Sequence, residues 1–218
     1  MVRLAVMMYV KYPLSLRQIE DLLFERGIDI SHETFRFWWN RFGPMFAAEI
    51  SKKRVHRRSH WLWCWHVDEV FVRINGVQHY LWRAVDHEGE VIEVFASKRR
   101  NRKAALKFLR RAMKRYGSPK VIVTDRLASC GAALRTLGSK QRQRCGRWLN
   151  NRAGNSHHSF RIWKGAMARF RDIKTLQKLA SSHAAGHNHF NHERHLVSRD
   201  IYKQNRSAGL AEWRLLAT

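Results

Sequence analysis

Trp65-His66-Val67-Asp68-Glu69 lies inside the run from Trp61 to Ile74, which is dense in aromatic and β-branched residues. That composition predicts a buried strand. A carboxylate on such a strand is costly unless something cationic offsets its lost hydration. A second apolar run, Val121-Ile122-Val123-Thr124, also ends on an acid, Asp125. Two acids on two core strands, in a chain of formal net charge +25, predict a divalent-metal site that works on a phosphate backbone. The competing reading makes each Asp a strand-end residue bonded to neighbouring backbone amides.

Working outward, Trp61–Ile74 is followed by Asn75-Gly76, a hairpin dipeptide. Val77–Asp86 turns at His87-Glu88-Gly89, and Glu90–Ser97 makes a third strand. Asn101 is placed to cap a helix whose Ala105, Phe108, Leu109, Ala112, Met113 and Tyr116 form an apolar stripe. Gly117-Ser118-Pro119 ends it, and Lys120–Asp125 is the next strand. Three antiparallel strands, a helix and a returning strand make an α/β layout. A return strand parallel to the first lets Asp68 and Asp125 face each other. Two-metal phosphoryl transfer needs such a pair, with carboxylates holding ions ~4 Å apart. The turn Lys98-Arg99-Arg100-Asn101-Arg102-Lys103 precedes the helix, where basic side chains and backbone donors can take a phosphate.

The totals narrow the partner. Lys and Arg number 42 against 17 Asp and Glu in 218 residues, an excess that a neutral substrate does not need. Nucleic acid is the expected partner, although ribosomal and membrane-surface proteins share this balance. The chain is 44% hydrophobic with nine Trp, enough for a substantial core. Three scattered cysteines, Cys64, Cys130 and Cys145, form no C-x-x-C pair and suit a reducing compartment. Leu4–Val10 is too interrupted, by Lys11 and Pro13, to read as a signal peptide, and no run reaches the ~20 apolar residues of a membrane span. The chain is expected to be soluble and cytoplasmic.

Near the N-terminus, Ser15 and Gln18 fit a capping box opening a helix with Leu16, Ile19, Leu22 and Leu23 on one face. Gly27 ends it, and Ser31 caps a second helix carrying Phe35, Trp38, Trp39 and Phe42, which stops at Gly43-Pro44. His32, Glu33, Arg36 and Asn40 occupy its polar side. Helix, short turn and helix outline a helix-turn-helix DNA reader, with Val2–Tyr12 as a short third helix. The plainer alternative is a helical hairpin packed on the main domain. Residues 51–60 read as a basic connector. Beyond Ser156 the pattern is mostly helical to about Asn191, with an interruption at Asp172-Ile173. His183 and His187 have the spacing of a helical zinc pair, but they fit a basic or partly buried helix face equally well. Ser198–Thr218 is polar, with Trp213 docking a short terminal helix.

Trp65-His66-Val67-Asp68-Glu69, Tyr80-Leu81-Trp82-Arg83-Ala84-Val85-Asp86, Ser97-Lys98-Arg99-Arg100-Asn101, Val123-Thr124-Asp125 and Trp148-Leu149-Asn150-Asn151-Arg152 occur in this order. Together they closely resemble the bacterial insertion-sequence transposases of the IS-six type. The resemblance implies an RNase H-like mixed sheet flanked by helices, with a small all-α helix-turn-helix ahead of it. It implies a helix-turn-helix domain over 1–50, a linker over 51–60, a catalytic core over 61–197 and a tail over 198–218. It further implies an Asp-Asp-Glu triad holding two Mg²⁺ ions (Mn²⁺ as substitute), of which Asp68 and Asp125 are the first two acids and metal ligands. His32, Arg36, Asn40, Lys98, Arg99, Arg100 and Lys103 are the expected DNA contacts. The implied partners are double-stranded DNA, as terminal inverted repeats and target, and further copies of the chain at the nucleoid.

One departure stands out. Where the family pattern has its third acid, this chain has Gly154, which offers no ligand. His157 and His158 are poor substitutes, because Mg²⁺ prefers oxygen, and strand alternation directs Glu69 away from Asp68. The first helix is also expected to be shortened relative to the family. The chain is therefore expected to be a DNA transposase, cleaving and joining phosphodiesters, that the missing acid impairs. The alternative is a non-catalytic, sequence-specific DNA-binding protein that occupies transposon ends. A basic ribonuclease on the same fold is disfavoured by the DNA-reader helices.

Overall fold

The computed structural model describes residues 1–57, 64–87, 89–125, 127–146, 149–150, 158, 160–162, 165, 170–190 and 197–216. Asn151, Arg152, Gly154 and His157 lie outside the described residues. The chain divides into two compact units. One comprises Met1–Arg54, Ile162–Ala168 and Ser181–Thr218, the other Val55–Arg161 and Arg169–Ala180.

The second unit is built on a five-stranded mixed sheet. Its strands are β1 (Cys64–Ile74), β2 (Val77–Val85), β3 (Val91–Ser97), β4 (Val121–Thr124) and β5 (Gln143–Cys145), in the order β3-β2-β1-β4-β5. The β1–β2–β3 meander is antiparallel, whereas β4 runs parallel to β1 and β5 parallel to β4. This is the mixed sheet, flanked by helices, that the resemblance implied. Asn75 and Gly76 have φ of 49° and 79°, the left-handed pair that a two-residue hairpin requires.

Among the described residues, seven α-helices accompany the strands: α1 (Val2–Lys11), α2 (Leu16–Phe24), α3 (His32–Arg57), α4 (Arg102–Tyr116), α5 (Ala128–Thr136), α6 (Ile173–Phe190) and α7 (Arg199–Arg214). One face of the sheet, through Trp65, Val67, Trp82 and Ala84, packs on Phe108, Leu109 and Ala112 of α4 and Ala133 and Leu134 of α5. Gln177 of α6 bonds the Ala96 N–H and the Val94 carbonyl, at 2.8 and 3.0 Å. It thereby satisfies part of the free edge of β3.

The other unit is helical. Ser15 and Gln18 form the expected capping box, and Gly27 has φ of 73°. The helix expected to stop at Gly43-Pro44 instead continues to Arg57. Packing outweighs the lost backbone bond: Phe35, Trp39, Phe46 and Ile50 are all buried along one stripe of α3. Gly43 belongs to that packing, since a Cβ there would lie 2.7 Å from the Trp39 ring. Residues 51–57 of the expected connector are accordingly helical. The C-terminal helix is longer than the short one expected. Its Trp213 is buried, stacks edge-on against Phe46 at 5.6 Å and donates its indole N–H to the Arg3 carbonyl.

Candidate active site

The last parallel pair between β1 and β4 is Val67 with Thr124. The residue that follows each is an acid, so the pairing delivers Asp68 and Asp125 to the same region of the sheet. A third acid joins them. Asp68, Glu69 and Asp125 each present a carboxylate oxygen, and these atoms lie within 4.8 Å of one another.

The arrival of Glu69 corrects the expectation that alternation removes it. Alternation does hold along β1, where Glu69 follows Trp65 and Val67 on the helix-covered face. However, Asp68 Oδ1 accepts the N–H of Glu69 itself at 2.9 Å, which turns the short side chain along the strand toward its neighbour. Asp125 lies just past the end of β4, where no strand pleat dictates its direction. The long Glu69 side chain reaches the same space.

Arg100 supplies the balancing charge. From the turn ahead of α4 it forms an ion pair with Glu69 and lies 4.0 Å from Asp125 Oδ2. Its guanidinium also sits 5.6 Å over the Phe71 ring. Asn101 fixes the turn, its side chain capping α4 through the Ala104 N–H at 3.0 Å. Glu69 is almost wholly buried, with a side chain 3% exposed, and its Oε2 has no hydrogen-bond partner. Burial pushes its carboxyl up to about 7; Arg100 opposes the rise and the Asp125 and Asp68 charges add to it. Asp125 is also raised, by burial and then by Asp68, against the pull of Arg100.

These residues suit a hard divalent cation. All donors are carboxylate oxygens, the choice of Mg²⁺ and Mn²⁺ rather than of thiophilic metals. The Arg100 guanidinium meets Glu69 and Asp125, and burial raises both carboxyls, with the neighbouring acids adding to the rise.

Of the other expected site residues, Lys98, Arg99 and Lys103 are exposed around the same turn, whereas Arg100 is committed to the acids. His32 pairs with Glu20 at 2.8 Å, Arg36 pairs with Glu33, and Asn40 is exposed on the polar side of α3. His158 is exposed. His183 and His187 stack with ring centroids 6.0 Å apart on α6, and His183 is buried. Among the described residues, Asp68, Glu69 and Asp125 are the grouping with metal-ligand geometry.

Sequence reasoning placed Asn150 in a family motif but gave it no role. It is buried, and its side-chain amide donates to the Val67 carbonyl at 3.0 Å. Asn150 is thus fastened to β1 one residue ahead of Asp68. Nothing in the residue types alone announces such a long-range backbone contact.

A mixed sheet that gathers carboxylates at the ends of its β1 and β4 strands has the acidic centre that a two-metal phosphoryl-transfer protein needs. A family model described as a DDE domain matches residues 62–193. The chain is 30% identical over 181 residues to the transposase for insertion sequence-like element IS431mec of Staphylococcus aureus, covering 81% of this chain and 78% of that one. It is 29% identical, with the same coverage, to the transposase for insertion sequence element IS257 in transposon Tn4003 of the same organism. The chain belongs to the DDE transposases of insertion sequences, of the IS-six type. Among solved structures it is similar to a chain of the simian T-cell lymphotropic virus intasome in complex with PP2A regulatory subunit B56 gamma. That match has a TM-score of 0.42 and 16% identity over 73% of this chain and 58% of that one.

Proposed function

We infer that this transposase binds the terminal inverted repeats of its element, with its metal-dependent cleavage and strand-transfer chemistry impaired at Gly154. The observation that carries the reading is the meeting of the Asp68 and Asp125 carboxylates beyond the parallel β1–β4 pair. Asp68 and Asp125 would hold Mg²⁺, or Mn²⁺ in its place. Such an ion, when bound, polarises the scissile phosphate and activates the attacking oxygen. Lys98, Arg99 and Lys103, exposed beside the acids, would hold the DNA backbone. On the helical unit, Arg36 and Asn40 would read base edges, with His32 beside them. Further copies of the chain and target DNA complete the expected assembly, at the nucleoid. Among the described residues no helix is long and apolar enough to cross a membrane.

Gly154 favours a second reading, a sequence-specific end-binder without catalysis. The family's third acid would anchor an ion, and its loss is expected to lower strand transfer by ~100-fold, by analogy with other groups that stabilise transition-state charge. The test is a strand-transfer assay on an oligonucleotide ending in the element's inverted repeat, in Mg²⁺ and in Mn²⁺, comparing the natural chain with Gly154→Glu. A large gain in the variant supports an impaired transposase. Equal activity in both removes Gly154 as the defect, and no reaction in either leaves end-binding as the function. Gel-shift titration in parallel is expected to show binding that weakens steeply with salt, at a slope of about −0.9 for each phosphate neutralised.

A further inference from the structure

Position 154 carries no carboxylate, yet the site contains three. We propose that Glu69 is a metal-ligating residue of this chain, offering the ion at Asp68 and Asp125 a third carboxylate. The inference rests on the functional reading above and concerns loading of the ion rather than the rate of chemistry.

Two independent observations support it. The first is position: an oxygen of Glu69 lies within 4.8 Å of ligand oxygens on both aspartates. The second is an unmet requirement. Glu69 is 8% exposed, Arg100 takes part of its charge, and its Oε2 is buried without a hydrogen-bond partner. A buried carboxylate oxygen without a donor is costly to leave alone, and a cation bound between the three acids would satisfy it. The donor set, all oxygen and all anionic, matches Mg²⁺ and Mn²⁺.

Arg100 makes the idea testable. Its guanidinium pairs with Glu69 and stands 4.0 Å from Asp125, so it competes with an incoming ion for the same charge. Removing Arg100 should tighten metal binding, whereas removing Glu69 should weaken it. If Glu69 were only the structural partner of Arg100, Glu69→Gln and Arg100→Gln would break the same pair and act in the same direction.

The experiment titrates metal-stripped, full-length protein with Mn²⁺ in the absence of DNA and counts free ion by electron paramagnetic resonance. Glu69→Gln is expected to weaken binding at least ~10-fold, since even outer-shell substitutions cost that much, while Arg100→Gln binds more tightly than the natural chain. Asp125→Asn, expected to lose binding, tests the underlying site. Natural affinity in Glu69→Gln beside a loss in Asp125→Asn overturns the role of Glu69 and leaves the functional reading standing. Natural affinity in Asp125→Asn overturns both. Should Glu69→Gln not fold, Arg100→Gln decides: unchanged or weaker binding there overturns the proposal.

Discussion

Glu69 on β1 and Glu93 on β3 are built alike. Each is buried on the sheet, and each is raised above the ordinary carboxylate range by that burial. Each meets an arginine from the α4 region: Arg100 in the turn before the helix for Glu69, Arg111 within it at 3.4 Å for Glu93. What surrounds them differs. Arg111 and Arg115 both pull on Glu93, whereas Glu69 has two more carboxylates within ligand reach and shares Arg100 with Asp125. A buried glutamate with an arginine is therefore part of the scaffold here. A site arises where strand ends bring further acids beside the first.

The largest expected effect that would sharpen this contrast is the pH dependence of metal-free stability. The folded value of Glu69, about 7, lies above its ordinary 4.5. Its contribution is thus fully present below pH 4.5 and lost as pH rises through 7. Glu69→Gln has no proton to lose. Denaturant melts with chelator present should show the natural chain falling by about 3 kcal/mol relative to the variant between these limits. Parallel curves would break the distinction.

Next in size is the response to metal. Saturating Mn²⁺ at 100 times its dissociation constant should stabilise the natural chain by about 2.7 kcal/mol. Glu93→Gln should keep that gain and Glu69→Gln should lose most of it, read as thermal shifts; equal losses would erase the contrast. Smaller still is the cost of the scaffold pair. Arg111→Ala leaves Glu93 buried with less compensation and should cost about 2 kcal/mol, without rescue by Mn²⁺. The smallest is Asn101→Ala, which removes the cap beneath Arg100 and should cost about 1 kcal/mol by denaturant melts, along with a modest change in Mn²⁺ affinity.

The elements legible in the residues were those set by local chemistry. The Asn75-Gly76 turn, the Ser15–Gln18 box, the Asn101 cap and the apolar stripe of α4 are decided within a few positions, and so is the strand that carries Asp68. Pro44 was misread because the local rule against proline omits the stripe of Phe35, Trp39, Phe46 and Ile50 that holds α3 together. Glu69 was misread because pleat alternation gives the direction of a Cβ, whereas a long carboxylate side chain ends well away from it. The contact made by Asn150 was invisible because its partner is a backbone carbonyl distant in sequence.

The parallel pairing of β1 with β4 also orders events in time. A hairpin such as β1–β2 can close as soon as its turn is made, but β4 pairs with β1 across a stretch of sequence that holds β2, β3 and α4. Contacts of such long span form late and slowly. A chain still emerging from the ribosome, or one unfolded from its C-terminal side, holds the first acid without the second. Assembly of the acidic centre is thereby tied to completion of the sheet.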